Sequence, residues 1–360
     1  MGLAWCSRNF KFSLLLVLCV VALCEGRELR RWTLDHKHHG HVYNRTLAKI
    51  LAQYASAVYM TDLDALISWT CSRCNGLTKR FQMVELIVDV ENCLQAFVGI
   101  AEDIGATVIA FRGTQENSFR NWVENLFFKQ VDLDYPGMSG SMVHHGFYSA
   151  YHNTSLRPGV VEAVKRIQKR DVPLPIMVTG HSMGGAMASF CALDLTVNYG
   201  AKDVQVVTFG QPRIGNKFFA DYYNMFVPKT IRVTHNHDIV PHLPPYYTHF
   251  LKRTYHHFPQ EIWIHSVGFG SLVFDVERIC DGSGEDPSCS RSVSGNSLTD
   301  HLEYYGVSMQ AETWGKCGWV LKADQNGSYD AKVVIDIDSQ KSSLALNAFQ
   351  KTNASRSAFL

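Results

Sequence analysis

Over residues 44–59 the apolar side chains Leu47, Ile50, Leu51, Tyr54 and Val58 recur at three- to four-residue intervals, which predicts a helix with one buried stripe. Residues 94–100 and 107–111 are apolar runs joined by Glu102-Asp103-Ile104-Gly105, the pattern of two strands and a turn. Residues 160–169 return to helical spacing. A short apolar run at 176–179 then leads into a small-residue helix over 184–197, and further strands are predicted at 204–209 and 231–234. Strands alternating with helices imply an α/β fold with a mostly parallel central sheet and helices on both faces. The pattern shows no linker between residues 40 and 320, and from Lys322 the chain turns polar.

The first residues change the picture of the compartment. Arg8 and Lys11 precede an apolar run over residues 12–23, the layout of a secretory signal. A membrane-spanning helix needs about 20 apolar residues, and this run is shorter. The expected organisation is a signal peptide at 1–26, one domain at 27–320 and a polar tail at 321–360, in a protein that is secreted or held in the secretory lumen. No stable membrane span is expected. The chain carries a formal net charge of +1, which gives no broad attraction to nucleic acid or anionic membrane. The run His36-Lys37-His38-His39-Gly40-His41 reads as a solvated segment rather than a metal site.

An oxidising compartment gives the cysteines meaning. Beyond the leader lie Cys71, Cys74, Cys93, Cys191, Cys280, Cys289 and Cys317. Cys191 sits in an apolar helical stretch and reads as a buried free thiol. Cys280 and Cys289 flank a polar loop and form a natural local bridge. Cys71, Cys74, Cys93 and Cys317 remain with three possible pairings. Cys71-x-x-Cys74 could suggest zinc, but no second ligand pair follows at the required spacing. N-x-S/T triplets at Asn44, Asn153, Asn326 and Asn353 are possible glycosylation acceptors in a secreted chain.

The densest chemistry lies in Gly180-His181-Ser182-Met183-Gly184-Gly185. A serine flanked by glycines between a strand and a helix is the pattern of a nucleophile elbow. Small neighbours let the chain turn sharply, lift the serine oxygen out of the fold and aim the helix N-terminal N–H groups beside it. The Met183 N–H is one expected oxyanion donor. A serine needs a base, and the base needs an acid that follows the serine in the chain. Asp238, just after the 231–234 strand, suits the acid role better than Asp221 in a helical stretch. Residue patterns leave the base open among His242, His249, His256, His257, His265 and His301.

The stretches Ala110-Phe111-Arg112-Gly113-Thr114, Val143-His144-His145-Gly146-Phe147, the serine turn, Thr208-Phe209-Gly210-Gln211-Pro212-Arg213-Ile214-Gly215-Asn216, His237-Asp238-Ile239-Val240-Pro241-His242-Leu243-Pro244-Pro245 and Asp300-His301-Leu302-Glu303-Tyr304-Tyr305 occur in that order. With them the chain resembles the class 3, fungal-type triacylglycerol lipases, over roughly residues 45–310. The resemblance implies an α/β-hydrolase fold with Ser182 as nucleophile, Asp238 as acid and His301 as base. It also implies Thr114 as the second oxyanion donor. The position after the serine, usually leucine in that family, is Met183 here. A lid helix is implied near Phe119, Trp122, Val123 and Leu126, which fall near one helical face. The implied substrate is a lipid or other ester at an oil–water interface. The chemistry needs no metal and no cofactor. A feruloyl or cell-wall esterase with the same triad is the neighbouring alternative, and a non-catalytic binding protein on the same scaffold is a third.

Overall fold

A computed structural model describes residues 42–114, 129–246, 254–269 and 272–311. Its centre is one sheet of eight strands: β1 (Phe81–Asp89), β2 (Leu94–Ala101), β3 (Ala106–Phe111), β6 (Ile176–His181), β7 (Val204–Phe209), β8 (Thr230–His235), β9 (Glu261–Phe269) and β10 (Leu272–Ile279), neighbours in that order. The pairs from β3 through β9 are parallel, and β1, β2 and β10 close the two edges antiparallel. Short pairs β4 (Gln130–Asp132) with β5 (Met142–His144), and β11 (Glu303–Tyr304) with β12 (Val307–Ser308), lie outside the sheet. This is the α/β-hydrolase fold.

The central strands form because their side chains are buried on both faces. Every residue of β3 and β6 is buried, as parallel strands covered by helices require. Alternation then sorts them. Ile109, Phe111, Val178 and Val206 enter one core, with helices α3 (His145–His152), α4 (Leu156–Gln168), α5 (Met183–Val197) and α6 (Lys217–Phe226). Val108, Ala110, Met177 and Val207 enter the other, with α1 (Arg45–Ala57) and the short α2 (Leu63–Ile67). Asn44 caps α1 through its side-chain oxygen on the Leu47 N–H. Helix α5 is apolar on nearly every side because it is buried against the sheet almost all round.

The helices and inner strands expected from periodicity are present within a few residues of their predicted ends. The expectation missed β1 and β10. Both are edge strands, and their burial is partial or slight, so neither carries a continuous apolar run. Cys71 is bonded to Cys74, which leaves no thiolates there for zinc, and Cys280 is bonded to Cys289. Cys93 is also disulfide-bonded, Cys191 is a buried free thiol, and Cys317 lies outside the described residues. Among the described residues no helix is long and apolar enough to cross a membrane.

Candidate active site

Ser182 stands alone between β6 and α5, with φ 58° and ψ −129°. That left-handed region is costly for a residue with a Cβ and persists only where its surroundings enforce it. They do so from two sides. The Ser182 N–H donates to the Phe209 carbonyl at 2.9 Å, and the Gly185 N–H donates to the Ser182 carbonyl at 2.9 Å. Gly184 lets the helix start against β3: a Cβ there would lie 2.2 Å from the Phe111 oxygen. The Ser182 side chain is fully buried, and its Oγ has no hydrogen-bond partner among the described residues. The Met183 N–H heads the helix and has no acceptor within it.

Asp238 follows the end of β8. Its Oδ1 accepts the Val240 N–H at 2.8 Å. Its Oδ2 lies 2.8 Å from His301 Nδ1 and accepts the Tyr304 hydroxyl at 2.5 Å. A carboxylate only accepts, so Nδ1 carries the hydrogen and Nε2 is the basic nitrogen. Burial pushes the Tyr304 hydroxyl well above its ordinary pKa, aided by the Asp238 charge, so it remains a donor. Of the other histidines, His256 Nδ1 meets the His257 carbonyl, His257 Nε2 meets the Pro241 carbonyl and His265 stacks on Trp263. None of these, nor His242, is hydrogen-bonded to Asp238 among the described residues, and His249 lies outside them.

The two loops that carry this pair are far apart in sequence and clipped together by backbone. The Ser297 N–H donates to the His237 carbonyl at 2.9 Å, and the Ile239 N–H to the Ser297 carbonyl at 3.2 Å. The His237 N–H donates to Asp300 Oδ2 at 3.0 Å. Gly210, with φ +56°, lies beneath the pair: a Cβ there would come within 2.8 Å of both Asp238 Oδ2 and His301 Nδ1.

A buried chain joins the serine side to the histidine side. His181 Nε2 lies 2.7 Å from the His301 carbonyl and its Nδ1 2.8 Å from the Tyr59 hydroxyl. The Gly113 N–H donates to the Tyr59 oxygen at 3.1 Å. The His301 carbonyl only accepts, so Nε2–H donates to it, and Nδ1 accepts from Tyr59. Burial holds His181 well below its ordinary pKa of 6.5, with the neighbouring His301 adding to the effect, so the ring is neutral. The His181 and His301 rings lie 4.3 Å apart, centre to centre. His181, the residue before Ser182, therefore fixes the backbone of His301. Sequence reasoning gave Tyr59 and Gly210 no role. Tyr59 read as the end of an amphipathic helix, and only coordinates reveal what a Cβ at Gly210 would strike.

Thr114 also reaches this place: its hydroxyl donates to Met183 Sδ at 3.7 Å. Phe119, Trp122, Val123 and Leu126 lie outside the described residues, as do Asn326 and Asn353. Asn44 and Asn153 are exposed. Cys280 and Asp286 approach Cys289, but both sulfurs are spent in the disulfide and offer no thiolate to a cation. The structure pairs the His301 imidazole with the Asp238 carboxylate and ties the His301 backbone to His181, the residue before Ser182. A serine hydroxyl, an imidazole oriented by a carboxylate, and N–H and hydroxyl donors are the groups that acyl transfer uses.

The model of the family described as lipase (class 3) matches residues 108–248. A lipase of Rhizomucor miehei is 32% identical over 244 residues, 67% of this chain and 62% of the relative. A secreted mono- and diacylglycerol lipase of Fusarium solani is 30% identical over 261 residues, 70% of this chain and 73% of the relative. The chain thus spans about 62% of the length of the first of these relatives. A solved structure described as a serine protease triad forming the catalytic centre of a triacylglycerol lipase superposes with a TM-score of 0.60. It is 30% identical, with 75% of this chain and 98% of that one covered.

Proposed function

The chain belongs to the class 3 lipase family, and from that premise we propose that it is a secreted serine ester hydrolase acting on acylglycerols. The observation that carries this reading is the His301–Asp238 pair, fixed by the His181 link beside the strained turn at Ser182.

In the proposed reaction Ser182 Oγ attacks the ester carbonyl carbon while His301 Nε2 takes its proton. Asp238 holds Nδ1–H and stabilises the imidazolium, and Tyr304 donates to the same carboxylate oxygen. The negative charge on the former carbonyl oxygen is met by the Met183 N–H and by Thr114. His301 then protonates the leaving alcohol, and water attacks the acyl-enzyme by the same steps in reverse. Losing one oxyanion donor costs about a hundredfold or more in rate. Ser182 is shut from solvent in this conformation, so an acyl chain reaches it only after part of the molecule moves. Phe119, Trp122, Val123 and Leu126 are the residues we propose for a lid that responds to an oil–water interface. The disulfides and the exposed Asn44 and Asn153 support passage through an oxidising secretory compartment, with a leader at 1–26, a hydrolase domain at 27–320 and a tail at 321–360.

The test is hydrolysis of emulsified tri-, di- and monoacylglycerols beside a feruloyl ester, with Ser182→Ala as control. Ser182→Ala should lower turnover on the order of 10⁶-fold without moving the thermal midpoint. Release of ferulate with no release of fatty acid would transfer the activity to phenolic esters. Undiminished activity in Ser182→Ala would remove the triad.

A further inference from the structure

The thioether beside the nucleophile has a consequence for the same site. Met183 is partly exposed, although Ser182 before it is fully buried. Its sulfur receives the Thr114 hydroxyl at 3.7 Å. A thioether is a weak acceptor and releases that hydroxyl readily to a stronger one, such as a developing oxyanion. We infer that Met183 is an oxidation site through which a peroxide switches the enzyme off. The inference rests on the hydrolase reading above.

The step balances simply. The thioether sulfur gives two electrons to hydrogen peroxide, the O–O bond breaks, one oxygen bonds to Sδ, and the other leaves as water with both hydrogens. The sulfoxide is polar and a strong acceptor, and it is reducible again by methionine sulfoxide reductases. Placed on Sδ, its oxygen comes within hydrogen-bonding reach of the Thr114 hydroxyl and holds it. The same oxygen puts partial negative charge where the substrate oxyanion must form. Both effects raise the barrier while leaving the Ser182–His301–Asp238 chemistry intact.

Among the described residues the other thioethers do not share this position. Met60, Met138, Met177, Met187 and Met309 are buried, and Met225 is 70% exposed on α6. Met83 lies on edge strand β1 and Met142 on β5, both partly exposed.

The experiment treats the purified full chain with hydrogen peroxide and follows ester hydrolysis and peptide mass together. Turnover should fall about a hundredfold, as for loss of an oxyanion donor, in step with the Met183 sulfoxide and not with that of Met225. A mixture of both methionine sulfoxide reductase types with a reductant should restore it. Met183→Leu, compared with its own untreated rate, should keep most of its activity where wild type loses nearly all. Full conversion of Met183 with turnover unchanged would overturn the inference alone, as would equal losses in wild type and Met183→Leu. An untreated chain with no esterase activity would remove the hydrolase reading and this inference with it. Peptide mapping and reductase reversal on wild type decide the matter even where the variant does not fold.

Discussion

The serine half and the histidine half of the site are built on different principles. The serine half is local: a buried strand, one strained residue and a helix follow each other within residues 176–197, and the glycines that permit the turn are in the turn itself. The Asp238–His301 half has no such contiguity. It is made by two loops that touch through backbone hydrogen bonds and rest on Gly210, which belongs to neither. A local device is specified by its own segment of chain, although the Phe209 carbonyl on β7 also holds Ser182. An assembled device is held by every contact that closes the gap, so it should fail in more ways and by degrees.

The largest test of the contrast removes the carboxylate charge from the assembled half. Asp238→Asn should lower kcat about 10⁴-fold, because the imidazole loses its tautomer and its counter-charge. A loss below tenfold in steady-state ester hydrolysis would mean that another group orients His301. Next comes Gly210→Ala. Its methyl would press on both Asp238 and His301, and misplacing a reacting group by about 1 Å costs on the order of 10²-fold. The expected result is that loss in kcat with Ser182 still open to fluorophosphonate labelling, at a slower rate; unchanged kcat would show that the pair is not seated on this residue.

Tyr59→Phe cuts the joint between the halves. It leaves the Gly113 N–H and His181 Nδ1 without their shared hydroxyl in the interior. Each buried polar group left unpaired costs about 1–3 kcal/mol, so urea unfolding should show a loss of that order. The kcat should also fall, but by less than in Asp238→Asn.

The smallest effect is in pH. Burial pushes His181 and His257 well below 6.5 and His152 down to about 4. These rings are neutral in the folded chain and take up protons on unfolding once the pH drops below about 6.5. The unfolded state then binds more protons, so their contribution is complete above that value and is lost on acidification. The thermal midpoint should fall steadily from pH 7 to pH 5. A flat or rising midpoint across that window would mean that these rings are charged in the fold.

The serine elbow was legible because strand, glycines and helix are neighbours in the chain and their spacing is itself the geometry. The inner strands were legible too, since burial on both faces demands unbroken apolar runs. The edge strands β1 and β10 were not, because their exposed faces carry a mixed pattern with no period strong enough to separate them from loops. The proposed base shows the same limit. Six histidines after Asp238 have the right chemistry, and only resemblance to a known family singled out His301. The pairing of Cys71 with Cys74 likewise depended on where those residues meet in space.

The amino-acid order alone determined the alternating α/β architecture and the place of the serine turn, because both are written in the spacing of residues a few positions apart. Tertiary structure decided which imidazole meets Asp238, that Tyr59 and His181 brace its backbone, and that Gly210 must lack a side chain. Those outcomes depend on distances between segments brought together only when both hydrophobic cores close, and no local pattern encodes such a distance.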